Sequence, residues 1–333
     1  MREDGLLGWS TNALVKLDDE MPGILSRVLT AAPARRQAIF AALAAHEVKA
    51  GVFDAGEDLF PQSFAEVVRH GRVADILRMT FGDVPDGFRG LLERIGGERP
   101  LDRPSDYLAI HQLLVRNDVR AADALRGSGQ ITRRKLEVLS SLDPRWLHAN
   151  ALERLDTGAE ATDFNSAVEF IQSVCSRASD EAVAGAIAQM RPTSTLPRLL
   201  YRFLCRADRL PLNPVQIGDN ELRPLLTVRD YLEVGRRYRN CVASKLSHIA
   251  AGRMALAELK GECLMEFRPI TGKNGGWIFW GCHGHRNGPV AISTTNAAAA
   301  KCDALGIVRL DEDAAGSTGW RSYRSFTSMM DWD

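Results

Sequence analysis

Residues 254–282 read M-A-L-A-E-L-K-G-E-C-L-M-E-F-R-P-I-T-G-K-N-G-G-W-I-F-W-G-C. Three strand-like runs stand out: Met254 to Leu259, Glu262 to Arg268 and Trp277 to Cys282. Pro269 to Gly276, with Gly272, Asn274, Gly275 and Gly276, reads as the loop of a hairpin between the last two. Symmetric pairing about that loop sets Cys263 against Cys282, Met265 against Trp280 and Phe267 against Ile278. Alternation gathers these six on one apolar face and puts Trp277 and Phe279 on the other.

Helices flank the strands. Thr227 caps a helix reaching about Arg237, and a second helix runs from Asn240 to Ala251 and stops at Gly252. A third is predicted from Thr295 to Leu305. Further upstream, Leu210-Pro211-Leu212-Asn213-Pro214 breaks the pattern. Before that break the chain is helix after helix. Ala34 to Lys49 is rich in alanine, Phe88, Leu91, Leu92 and Ile95 fall at helical spacing, and Asp163 opens another apolar run. No fixed period recurs, so an irregular helical domain is expected rather than a solenoid. The expected fold class is α+β: a helical N-terminal domain (1–209), a small domain of helices and antiparallel sheet (210–310), and a tail (311–333) with no assigned place.

Composition narrows the function classes. Hydrophobic residues make up 45% of the 333 and charged residues 25%, which is ordinary for a globular protein and excludes a disordered or collagen-like chain. Lys plus Arg equals Asp plus Glu at 42 each, so the chain is no uniform polycation. No window approaches a membrane span, and Met1 to Ser10, with Arg2, Glu3 and Asp4, lacks a signal-peptide pattern. Six dispersed cysteines then suggest a reduced, cytoplasmic protein with free thiols. No Walker loop, dinucleotide fingerprint or HExxH motif appears.

Residues 235–253 read G-R-R-Y-R-N-C-V-A-S-K-L-S-H-I-A-A-G-R, and after the strands comes G-C-H-G-H-R-N-G-P-V at 281–290. This combination resembles the PcfJ-like family, with Asn240, Cys241, Gly252, Gly284, Asn287, Pro289 and Val290 at the matching positions. Asn240 stands where the family often has His, and Gly281 where it often has Gln. The resemblance covers about a fifth of the chain. It implies an accessory or effector protein of a mobile element, such as a plasmid or phage, and no established activity.

Three constellations carry possible chemistry. Cys241 opens a helix, where free amides and nearby Arg237 and Arg239 favour a thiolate. Paired with a strand-borne base, His283 or His285, and with Asn287 as orienting residue, it resembles papain-like hydrolases in layout, which would make the protein a cysteine-dependent hydrolase or transferase. The other reading of Cys241 is a half-buried packing residue in a structural interaction module. Cys263, Cys282, His283 and His285 are weak candidates for zinc. Adjacent Cys282 and His283 point to opposite faces of a strand, so free thiols and no cofactor are expected. Lastly, Tyr201 to Val290 holds 14 Lys or Arg against 8 Asp or Glu. Arg236, Arg237, Arg239, Lys245, Arg253 and Arg286 cluster around the Cys241 helix, a pattern suited to nucleic-acid phosphates. Binding of nucleic acid or protein is the preferred expectation, and catalysis by Cys241 the alternative.

Overall fold

A computed structural model describes residues 7–50, 62–116, 118–216, 218–271 and 275–309. The tail 311–333 and the hairpin-loop residues Gly272 and Asn274 lie outside the described residues. The chain divides into two compact units: Met1–Glu169 with Ser179–Leu199, and Phe170–Ala178 with Leu200–Asp333. The second unit claims Phe170–Ala178 through local bonds. The amide N–H groups of Asp208 and Arg209 donate to the Val174 carbonyl, and that of Ser176 donates to the Asp208 carboxylate at 2.8 Å.

Among its described residues the first unit is helical. Its centre is α1 (Pro33–Ala50), against which pack α2 (Val73–Phe81), α3 (Phe88–Glu93) and α4 (Pro104–Val115). Every residue from Ala38 to Ala45 is buried, so α1 is apolar all round in its middle, as a helix surrounded by others must be. The one polar intruder, Gln37, is fully satisfied. Its Nε2 donates to the carbonyls of Gly96 and Arg99, both at 2.8 Å, and its Oε1 accepts from the Tyr107 hydroxyl at 2.6 Å.

The second unit is built on a five-stranded sheet in the order β1 (Leu222–Pro224), β2 (Ala255–Leu259), β3 (Cys263–Pro269), β4 (Trp277–His283), β5 (Val308–Arg309). The fold is therefore α+β, as expected. The sheet is mixed rather than purely antiparallel: α7 (Ile292–Ala304) carries the chain across, so β5 pairs parallel with β4. The β2–β3 hairpin turns at Lys260 and Gly261, whose positive φ values of 53° and 69° suit a primed turn. Helix α5 (Val228–Tyr238) starts at Thr227 in a reciprocal capping box with Asp230. A short helix α6 (Leu246–Ala250) follows it.

The β3–β4 register differs from the symmetric expectation. Met265, not Cys263, faces Cys282; Leu264 faces His283, and Phe267 faces Phe279. Two causes add. The loop closes with the Ile270 amide N–H donating to the Gly276 carbonyl, which moves the hairpin centre along the chain. A bulge between Glu266 and Phe267 then leaves Trp280 unpaired. Trp280 leaves the core face, where 48% of it is exposed, and stacks under the Arg268 guanidinium at 4.0 Å. Trp277 and Phe279, expected on the other face, pack instead against the core of Ala255, Ala257, Cys263, Met265, Phe267 and Cys302. Cys263 and Cys282 still meet diagonally, as free thiols with their sulfurs 3.6 Å apart.

Candidate functional site

The opposite sheet face carries Leu256 and Glu258 from β2, Leu264 and Glu266 from β3, and His283 from β4, by the alternation that turned their neighbours into the core. Four of these five, Leu256, Leu264, Glu266 and His283, line a cavity of about 370 Å³. The segment after α5 closes over it.

That segment is shaped by two local devices. Arg239 ends α5 in the left-handed conformation at φ 51°, and the Asn240 Oδ1 then accepts from the Val242 amide at 3.2 Å. The chain re-enters helical geometry as a 3-10 turn, Cys241–Lys245, and only then as α6. Here the single helix expected from Asn240 to Ala251 is corrected. Two five-residue pieces carry little macrodipole, so the thiolate argument from a helix start falls away. Val242, Leu246 and Ile249 are buried and pin the segment, while Cys241 is exposed at the rim of the cavity.

On the other side, β4 runs into a tight turn. The Gly284 amide donates to the Gly288 carbonyl at 3.0 Å, and Arg286 and Asn287 both take positive φ, 54° and 56°. A side chain on Gly284 would come within 3.1 Å of the Gly288 oxygen, so the turn would have to give by a few tenths of an ångström to admit one. Asn accepts left-handed backbone readily and Arg less so, which concentrates strain next to the cavity. The turn delivers the Asn287 Nδ2 to 3.7 Å from the Cys241 Sγ.

Of the two candidate bases, His283 lines the cavity with Cys241, whereas His285 sits exposed on the turn. His283 Nε2 lies 2.9 Å from Glu266 Oε2, and Arg268 Nε donates to Glu266 Oε1 at 2.8 Å. Glu266 is only 7% exposed. Burial pushes its carboxyl upward, but the bonds from His283 and Arg268 outweigh this and hold it below its ordinary value. An ionised carboxylate only accepts, so Nε2 of His283 carries the hydrogen and Nδ1 is the basic nitrogen.

Glu266 and its counterpart Glu258 are what sequence reasoning missed. Glu258, also buried, receives Arg237 Nη2 at 2.6 Å, Arg223 Nη2 at 3.1 Å and the Tyr238 hydroxyl at 3.0 Å. Arg237, expected to bind phosphate, is thereby committed to an internal carboxylate. Arg236, Arg239, Lys245, Arg253 and Arg286 are exposed and have no ion-pair partner among the described residues. The four zinc candidates do not converge: Cys263 and Cys282 belong to the core face, His283 to the cavity face and His285 to the turn. Among the described residues no group of three or more His, Cys, Asp or Glu is placed to hold a metal ion, and no helix is long and apolar enough to cross a membrane.

Compared with family models, with curated proteins and with solved structures, the chain gives no match to any of them.

Proposed function

We propose that the second unit is a cysteine-dependent acyl-transfer enzyme, a hydrolase or transferase with Cys241 as nucleophile. One observation carries this reading: an exposed thiol shares a cavity with a histidine whose Nε2 is held by a buried, doubly bonded carboxylate. That is the nucleophile, base and orienting residue of acyl transfer in their separate roles.

In the proposed cycle His283 Nδ1 takes the Cys241 proton. Sγ attacks the substrate carbonyl carbon, and the oxyanion that forms accepts a hydrogen bond from Asn287 Nδ2. The intermediate collapses, the bond to the leaving group breaks, and that group departs with the proton from Nδ1. Water, or an acceptor nucleophile in a transferase, then gives its proton to Nδ1 and attacks the thioester. The carbon–sulfur bond breaks and the thiolate recovers its proton. Glu266 stabilises the imidazolium throughout. By the resemblance to PcfJ-like proteins, we place this activity in the service of a mobile element.

Alkylation of Cys241 by iodoacetamide as a function of pH tests the reading. Activation by His283 raises the rate near neutral pH above that of a free cysteine, and His283→Ala removes the excess. An ordinary thiol profile in the wild type, unchanged by that substitution, sinks the proposal. The five exposed cations without an ion pair among the described residues favour a second reading, nucleic-acid binding. Filter binding at two salt concentrations checks it, each lost phosphate contact flattening the logarithmic salt slope by about 0.7 to 0.9. Absence of binding at low salt removes it.

A further inference from the structure

The cavity's polar groups are unbalanced in one direction. Glu266 has both oxygens engaged, one by Arg268 and one by His283. Asn240 has its Oδ1 engaged by the Val242 amide, so its Nδ2 is the part left to offer. Asn287 presents Nδ2 toward Cys241. Lys245, which also lines the cavity, brings a full positive charge with no counter-ion among the described residues. Several other cations of the unit are matched: Arg223 and Arg237 on Glu258, Arg268 on Glu266, Lys301 on Asp219 and Glu221. Arg236, Arg239, Arg253 and Arg286 also lack an ion pair among the described residues, but of these unmatched cations it is Lys245 that lines the cavity. Beyond His283 Nδ1, the cavity thus offers donors and a cation where a ligand would sit. Its floor is apolar, formed by Val242, Met254, Leu256 and Leu264. A volume of about 370 Å³ is at the small end for a ligand site and suits one residue-sized group.

We infer that Cys241 acts on small acyl compounds that carry a carboxylate, with Lys245 binding that carboxylate and the apolar body resting on Leu256 and Leu264. This rests on the reading of Cys241 as the nucleophile. Lys245 selects the substrate by charge, and Asn240 and Asn287 add directional donors on either side of the thiol. A compact ammonium suits a single anionic group, and the apolar floor favours a carboxylate with a hydrocarbon body over a bare phosphate.

Iodoacetate and iodoacetamide test this directly, because they present the same carbon to Sγ and differ only by a carboxylate against an amide. In both, the carbon–sulfur bond forms as iodide leaves. The iodoacetate-to-iodoacetamide rate ratio at the Cys241 peptide, read by mass spectrometry, is expected to exceed that of N-acetylcysteine by about fivefold or more, the effect of one partly screened unit charge. Lys245→Met, shown by its urea midpoint to remain folded, should return the ratio to that of N-acetylcysteine. A wild-type ratio equal to N-acetylcysteine, or a ratio that survives Lys245→Met, overturns the inference. Butyrate should protect Cys241 at lower concentration than acetate, by about fourfold for each added methylene on the floor. Protection by inorganic phosphate as good as by butyrate overturns the assignment of a carboxylate with an apolar body. The nucleophile reading fails separately, on the pH profile with neutral iodoacetamide alone, whatever the ratio shows.

Discussion

Replacing Glu266 by Gln changes one atom and one charge at the base of the cavity. The carboxylate now accepts from Arg268 at 2.8 Å and bonds His283 at 2.9 Å. A glutamine has one oxygen, and the Arg268 N–H can only donate, so the amide oxygen must serve Arg268. The amide NH₂ then faces His283 Nε2, which must accept. That drives the ring hydrogen to Nδ1, the nitrogen that should take the thiol proton. Reactivity of Cys241 at neutral pH is therefore expected to fall with the protein still folded. The stability cost follows from the same geometry. Both bonds lose their anionic acceptor: the His283 bond becomes neutral and the Arg268 bond keeps only the guanidinium charge, a loss of about 1 kcal/mol each. Arg268 and His283 have side chains 44% and 38% exposed, so water recovers part of it. The expected net loss at pH 7 is about 1 kcal/mol, measured by urea unfolding. Its pH dependence has a definite sign. The Glu266 carboxyl is held below its ordinary 4.5 in the folded protein, so its contribution is complete above that value and vanishes as pH falls through the folded one. The gap between wild type and Glu266→Gln should accordingly close on acidification below pH 4.5. A gap that persists unchanged in that range, or a Cys241 alkylation profile indifferent to the substitution, would refute this account.

Iodoacetamide at pH 8 should modify Cys241 well before Cys263 or Cys302, as peptide mapping would show. Cys302 in particular is pushed up to about 11 by burial and stays a protonated thiol. Thr227→Ala should lower the unfolding free energy by about 1 kcal/mol in urea titration, since it removes the hydroxyl that caps α5 and that itself donates to Asp230. An unchanged midpoint would mean that the box contributes nothing to the folded unit.

Much of the second unit was legible because its signals are local. The capping residue Thr227, the glycine stop at Gly252 and the three apolar runs each act within a few residues: the Thr227 helix and the three strands formed, and of the helix stopped at Gly252 the last part, Leu246–Ala250, is α-helical. Two strands were not legible. Leu222–Pro224 and Val308–Arg309 are too short to carry a period, and the first ends in a proline tolerated because it lies at the sheet edge. The hairpin register failed for a different reason: a bulge at one bond shifts every pair beyond it, and nothing in W-I-F-W-G-C announces where it will fall. Asn287, expected to orient the histidine base, lies instead 3.7 Å from the Cys241 Sγ, and Glu266 bonds His283 in its place; the helix expected to carry Cys241 is a 3-10 turn followed by α6. The helical N-terminal segment yielded its helices; Gln37 and Tyr107 satisfy each other in its core, whereas Arg35 Nε, Asp106 Oδ2 and His111 Nε2 are buried without a hydrogen-bond partner among the described residues.

The buried acids show what a sequence reader can look for. Glu258 in A-L-A-E-L and Glu266 in L-M-E-F each sit inside an apolar strand, on the face that the core does not use. Burying either anion is costly unless charged or polar donors reach it: Arg237 of α5 and Arg223 of β1 reach Glu258, and Arg268 of the same strand and His283 of β4 reach Glu266. Their roles nonetheless divide. Glu258 bonds Arg237 and Tyr238 of α5 and Arg223 of β1, so it fastens helix to sheet. Glu266 bonds His283 and so reaches the cavity. Glu258→Gln should therefore cost stability on a similar scale, about 1–2 kcal/mol with Arg223 and Arg237 half exposed, because one amide oxygen must serve both guanidinium donors while the Tyr238 hydroxyl turns to accept. It should leave the pH profile of Cys241 alkylation where it was, whereas Glu266→Gln moves both. If the two substitutions shift that profile alike, the effect at Glu266 is a general loosening of the sheet and not control of the His283 tautomer.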